Sequence, residues 1–253
     1  MTQGFAAVTI DAFLGGKLQI TQPKHGYRAA TDPVFLAAAT KASPGQTVLE
    51  LGCGVGTAAL CLLSRVAGLT VTGVELQAEY ADLARQNARI NGLPLDVMVA
   101  DVLAPPETLK AMTFDHVILN PPYFEAEAVT PPGNTGKDIA HREGVAGLNG
   151  FVDAGLKRLK QKGWITIIHR TERLGDILST LNGRAADIAI LPLSSRAGRP
   201  ARRVIVRARK GSAGPLILFP PMIVHREAIH QVDGSDFSDT AEAVLRRGEA
   251  LNF

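Results

Sequence analysis

An α/β fold, in which a mostly parallel sheet carries helices on both faces, is predicted by three features of this chain. From position 47, short β-branched runs alternate with helical patterns. The first run ends in a glycine-rich stretch that opens directly into a helix, and acidic residues stand at the ends of the first three runs. A length of 253 residues, 46% apolar and 20% charged, suits a folded globular chain and excludes disorder and fibre.

Thr47 to Leu51 reads as the first strand, Thr57 to Val66 as a helix closed by Gly68, and Thr70 to Glu75 as the second strand. Tyr80, Leu83, Ala84 and Ala88 share one helical face, with Gly92 placed to end that helix. Leu95 to Ala100 and Phe114 to Leu119 supply strands three and four. Val152, Leu156 and Leu159 mark a helix stopped by Gly163, ahead of the strand Trp164 to His169. Leu174, Ile177, Leu178 and Leu181 mark the next helix, with Thr171 as its N-cap. Ala185 to Leu191 and Val204 to Ala208 are joined too closely for a helical crossover, so this last pair is expected to be antiparallel and the sheet seven-stranded. Two segments break the rhythm: residues 1 to 46, and Phe124 to Leu148, a long connection of the kind that is often functional. Pro220-Pro221 interrupts Leu216 to Val224, which predicts a terminal extension rather than a central strand. The expected organisation is one compact domain over 47–253, with 1–46 as a segment covering its site.

No stretch approaches the ~20 apolar residues that span a bilayer, and the first residues lack the charged and apolar regions of a signal peptide, so a cytoplasmic protein without membrane contact is expected. Cys53 and Cys61 fit neither a disulfide framework nor a zinc site and read as buried thiols. The histidines lack metal-ligand spacing, so no metal is expected. The net charge of +3 is unevenly spread: Arg196, Arg199, Arg202, Arg203, Arg207, Arg209 and Lys210 form a run without an acidic residue.

In Glu50-Leu51-Gly52-Cys53-Gly54-Val55-Gly56, glycines let a ligand approach the backbone beside a helix N-terminus. The spacing is GxGxG. A dinucleotide fingerprint wants glycine or alanine at 57, where this chain has Thr57, and nothing resembles a hydride-transfer site. Glu50 repels phosphates and suits an ammonium or sulfonium charge. Glu75 is placed to accept from ribose hydroxyls and Asp101 from the amino group of adenine, although either residue alone also reads as a helix N-cap. The three acids together favour a nucleoside ligand at the carboxyl ends of the strands.

Strand four ends in Asn120-Pro121-Pro122-Tyr123. Two prolines stop the strand and fix the backbone, so the Asn side chain and the first proline's carbonyl converge beside an aromatic wall. With the glycine loop, this motif resembles the class I S-adenosylmethionine-dependent methyltransferases that act on planar amino nitrogens. Pro23-Lys24-His25-Gly26-Tyr27-Arg28-Ala29-Ala30-Thr31-Asp32, followed by Leu36, is similar to the N-terminal motif of the bacterial tRNA1(Val) adenine-37 N6-methyltransferase family, over roughly residues 17 to 210. The resemblance implies a Rossmann-like fold and S-adenosylmethionine as cofactor. It places Gly52, Gly54 and Gly56 against the methionine portion, Glu75 at the ribose, Asp101 at the adenine, and Arg28 and Asp32 near the methionyl end; a surface salt bridge is the competing role for Arg28. It also implies that Asn120 and Pro121 accept hydrogen bonds from the target amine, and that Tyr123 stacks on a base turned out of its helix or loop.

The implied partner is RNA, with tRNA foremost. Arg196, Arg199 and Arg202, in the connection between the last two strands, are the candidate phosphate contacts; an edge strand made soluble by cations is the competing account. Lys137, His141 and Arg142 in the long connection offer a second contact. Enzymes that modify a release-factor glutamine, cytosine N4, guanine N2 or DNA adenine share the motif. The short stretch before strand one argues against the first of these, and the absence of a spare recognition domain against a DNA enzyme. A nucleoside-binding module without catalysis is disfavoured by intact Glu75, Asp101, Asn120 and Tyr123.

Overall fold

Residues 5, 7–121, 147–226 and 236–253 are described by the computed structural model. In chain order, the elements are β1 (Val8–Phe13), β2 (Leu18–Pro23), α1 (Asp32–Ala39), β3 (Thr47–Leu51), α2 (Thr57–Arg65), β4 (Thr70–Glu75), α3 (Ala78–Ile90), β5 (Leu95–Val99) and α4 (Glu107–Lys110). There follow β6 (Phe114–Leu119), α5 (Gly147–Arg158), β7 (Leu159–Arg170), α6 (Leu174–Leu181), β8 (Ala185–Ser194), β9 (Arg203–Lys210), β10 (Leu216–Leu218), β11 (Met222–Ile223) and α7 (Asp239–Glu242).

The main sheet runs β10-β8-β9-β7-β6-β3-β4-β5, with β11 also pairing β8. β9 is antiparallel to both β7 and β8, and the other pairs are parallel. The seven expected strands are present, and the apolar runs around Pro220-Pro221 add two short edge strands, which brings the sheet to nine. Alternation along β6 explains the two layers: Ile118 faces one core with α1, α2 and the C-terminal residues Val244 and Leu245, while Val117 and Leu119 face the other with α5 and α6.

Four local expectations are corrected. β5 stops at Val99, so Asp101 lies beyond the strand, exposed, with Oδ1 accepting from the Leu103 N–H at 2.7 Å. α5 ends at Arg158 rather than at Gly163, because β7 begins at once with Leu159 and pairs with Phe114 of β6. Thr171 opens a 3₁₀ turn, Thr171–Arg173, and caps nothing; Arg173 occupies the N-cap of α6. β9 is no edge strand, since β7 and β8 flank it.

Before β3 the chain forms a hairpin, β1 with β2, and then α1. α1 is apolar on all sides, and Pro33 to Ala39 are all buried. Asn87 of α3 fastens the hairpin to the domain. Its Oδ1 accepts from the Thr21 N–H (2.8 Å), while Nδ2 donates to the carbonyls of Thr21 and Val55 (both 3.0 Å). The residue is wholly buried, so these groups have no water to replace it. Asn87→Ala is expected to cost about 2–4 kcal/mol, read as a lowered urea midpoint with the slope unchanged.

Candidate functional site

Strand β3 delivers Glu50 to the interior and then must turn at once into α2. Gly52, Gly54 and Gly56 make this turn at φ of 71°, 54° and 81°, in the left-handed region that favours glycine. The N–H groups of Gly52 and Cys53 both donate to the Val74 carbonyl, at 2.8 and 3.0 Å, which binds the loop to β4. Glu75 completes the attachment: Oε2 accepts from the Gly54 N–H and Oε1 from the Gln77 N–H, each at 2.9 Å.

Beside the loop lies a narrow cleft lined by Tyr27, Ala29, Pro33, Glu50, Gly52, Cys53, Val55, Thr57, Ala58 and Asn120. Asn120 follows the last residue of β6, so the parallel pairing of β3 with β6 brings it beside Gly52. A larger cleft, of about 500 Å³ between the end of α2 and residues 247–252, holds none of the expected site residues.

The structure therefore brings Glu50, Gly52 and Asn120 onto one cleft; Gly54, bonded to Glu75, adjoins it through the loop and under the Tyr27 ring. The three glycines differ in role. A Cβ on Gly54 would stand 3.3 Å from Tyr27 Cε1 and one on Gly52 3.1 Å from Phe151 Cε1, whereas Gly56 is pressed against Leu95 and Ala84 inside the protein. Arg28 is held away from the cleft by Asp11 in an ion pair and by the Thr9 hydroxyl and Pro23 carbonyl. Asp32 accepts from Arg203 Nε at 2.7 Å and so joins the start of α1 to β9. Pro121 closes the described stretch after Asn120; Pro122, Tyr123, Lys137, His141 and Arg142 lie outside the described residues.

The arginine run divides by burial and by partner. Arg207 is buried, stacked 4.3 Å from the centre of the Phe253 ring and donating to the Phe253 carbonyl. Lys210 caps the end of α5 through the carbonyls of Leu156 and Leu159, and Arg196 pairs with Asp236. Arg199 and Arg202 stand exposed in the β8–β9 connection, which emerges at the carboxyl end of β8 and hence at the sheet edge that carries Asn120.

Sequence reasoning passed over Tyr27 and Thr57. Tyr27 lies inside the quoted N-terminal motif, but only the packing shows it reaching the glycine loop. Thr57 Oγ1 is buried without a hydrogen-bond partner and lines the same cleft as Glu50. An orphaned hydroxyl beside a carboxyl group and left-handed glycines fits a ligand with a zwitterionic amino-acid end, which supplies both acceptors and a cation. Burial pushes Glu50 up to about 8, with neighbouring Glu75 adding to the rise and the Ala59 N–H opposing it. Both thiols are raised by burial and stay protonated.

The folded chain thus holds a Glu50 proton that the unfolded chain releases near 4.5, so stability falls as pH rises from there through about 8. Between pH 6.5 and 8.5 the urea midpoint is expected to fall more steeply in the parent protein than in Glu50→Gln; equal slopes would sink this account.

The family model for the methyltransferase small domain matches residues 30–178. A tRNA1(Val) (adenine(37)-N6)-methyltransferase of Aeromonas hydrophila is 27% identical over 191 residues, covering 73% of this chain and 77% of that protein. The fold matches a crystal structure described as a predicted O-methyltransferase from Agrobacterium tumefaciens (TM-score 0.70, 23% identity, 87% of this chain and 98% of that one). It also matches the Thermus thermophilus 16S rRNA N2 G1207 methyltransferase in complex with AdoMet and guanosine (TM-score 0.58, 18% identity, 81% of this chain and 50% of that one).

Proposed function

Because this chain belongs to the methyltransferase small domain family and is an S-adenosylmethionine-dependent methyltransferase, we propose that it methylates an exocyclic amino group, adenine N6 of a tRNA, at the cleft between Asn120 and the glycine loop. The observation that carries this reading is the placement of Asn120, followed by Pro121, at the end of β6 on the same cleft as Glu50 and Gly52. When bound, the cofactor supplies an electrophilic methyl group on a sulfonium.

This chain's residues do the rest by holding and orienting. Glu50, Gly52, Gly54 and Thr57 form the wall for the amino-acid end, Glu75 the acceptor for the ribose, and Asp101 the acceptor beyond β5 for the base. Gly56 keeps the loop against α3, and Arg28 and Asp32 hold the N-terminal segment in place. An adenine amino group is a weak nucleophile, since its lone pair is delocalised into the ring. Asn120 Oδ1 and the Pro121 carbonyl accept its two hydrogens, favour a pyramidal nitrogen and aim the lone pair; such fixed acceptors act on the charge that develops in the transition state. Pro122 keeps the backbone from continuing as a strand, and Tyr123 is the stacking surface for the base. No strong base is required, and the proton leaves to water. Position 37 of tRNA1(Val) is the target supported by the similarity to the Aeromonas enzyme. Arg199 and Arg202 track the phosphate backbone, and Arg196 braces their loop through Asp236.

With labelled S-adenosylmethionine and total tRNA, total rRNA, duplex DNA and a release factor offered in parallel, label is expected in tRNA as N6-methyladenosine, reduced at least about a hundredfold in Asn120→Ala. Label confined to rRNA or to a release factor would overturn the tRNA assignment, and full transfer by Asn120→Ala would overturn the site. Replacing Arg199 and Arg202 by alanine is expected to weaken tRNA binding and lower the salt slope by about 2, with cofactor affinity unchanged. Cofactor binding near pH 7 is expected to release a proton, seen in calorimetry as a buffer-dependent heat that Glu50→Gln abolishes.

A further inference from the structure

Tyr27 is the one aromatic side chain among the described residues lining the cleft, and it comes from the segment before the sheet begins. Its backbone is clamped. The Tyr27 N–H donates to the Tyr80 hydroxyl at 3.0 Å, and that hydroxyl donates back to the Tyr27 carbonyl at 3.4 Å. Gly26 precedes it at φ 104°, where a Cβ would stand only 2.9 Å from the same hydroxyl, so the chain can pass Tyr80 this closely only as glycine. Tyr80 is itself buried and meets Phe5 edge-on at 4.8 Å between ring centres. From this anchor the Tyr27 ring lies over Gly54, and its hydroxyl accepts from Asn120 Nδ2 at 3.4 Å.

We infer that Tyr27 is a positioning residue for Asn120, its hydroxyl engaging the amide Nδ2 so that Oδ1 is the end presented to the amino group of the substrate. The two ends of a carboxamide are opposites in hydrogen bonding: Oδ1 accepts and Nδ2 only donates. Were the amide reversed, two donors would face one another across the cleft and the amino lone pair would lose its aiming acceptor. The phenol hydroxyl can both donate and accept, so what it fixes is the rotation of the side chain: one end of the amide is tied to Tyr27, Nδ2 in this structure, and the other is turned to the cleft. Although 48% of Tyr27 is exposed, its hydroxyl lies against Asn120, and burial with the nearby carboxyl groups of Glu50, Asp32 and Glu75 raises its pKa, so the phenol stays neutral over the working range. This role rests on the reading of Asn120 as the acceptor of the amine hydrogens.

Tyr27→Phe keeps the ring over Gly54 and removes only the hydroxyl. It is expected to lower kcat about tenfold, the loss of one hydrogen bond, while the affinity for S-adenosylmethionine, measured by calorimetry without acceptor substrate, stays within about twofold. Independently of turnover, the side-chain amide resonances of Asn120 in a ¹H–¹⁵N spectrum, assigned by their disappearance in Asn120→Asp, are expected to shift in Tyr27→Phe. An unchanged kcat would overturn the inference, as would unmoved Asn120 resonances. A fall in cofactor affinity equal to the fall in rate would make Tyr27 a wall of the cofactor cleft and overturn it as well. Full activity of Asn120→Ala overturns the acceptor reading itself, whatever Tyr27→Phe does.

Discussion

The reversal of the chain between β3 and α2 is the constraint on which the rest of the site depends. A strand that must become a helix within five residues needs left-handed backbone, and only glycine adopts it at Gly52, Gly54 and Gly56 without steric cost. The turn is fixed to its neighbours by hydrogen bonds to Val74 and Glu75. β4 makes room for it: at Gly73 a Cβ would stand 2.8 Å from Cys53 Sγ, so glycine in that strand lets the loop sink against the sheet. With the loop lowered in this way, Glu50 faces the cleft from below and Asn120 from the adjoining strand.

The second dependence runs through the N-terminal segment, which supplies the side of the site opposite the sheet. Asn87 holds β2 and the Val55 carbonyl with one side chain, so the hairpin and the glycine loop share an anchor. Tyr80, on the same helix, holds Tyr27, and the Arg203 to Asp32 pair joins the start of α1 to the strand that follows the basic connection. The pocket is therefore assembled from one side by the sheet and from the other by residues 18–33, and α3 fastens the two.

Charge along β9 illustrates how a linear pattern divides in space. Seven basic residues without an acid read as one patch. In the fold, Arg203, Arg207 and Arg209 share one face of β9, where Arg207 is buried against Phe253; helix and strand carbonyls take Lys210 and Arg209, and carboxylates take Arg196 and Arg203. Only Arg199 and Arg202 of the run are exposed, and both stand at the sheet edge that carries Asn120. Counting charges overstated the patch because burial and the carbonyls and carboxylates of neighbouring elements are invisible in composition.

The sequence by itself determined the layered fold, the glycine turn and the family, since each is carried by local chemistry: alternation, left-handed backbone and short motifs whose residues are neighbours in the chain. It also placed Glu50, Gly52 and Asn120 at the carboxyl ends of strands, because parallel pairing brings those ends together. Tertiary structure alone decided what lies across the cleft. Tyr27 faces Asn120 over a separation of 93 residues, Thr57 becomes an orphaned hydroxyl, Gly56 serves packing, and Arg28 and Asp32 turn to Asp11 and Arg203. Those outcomes depend on which groups meet after the hairpin and α1 fold back over the sheet, and contacts between distant segments are set by the packing of whole elements, which no local pattern records.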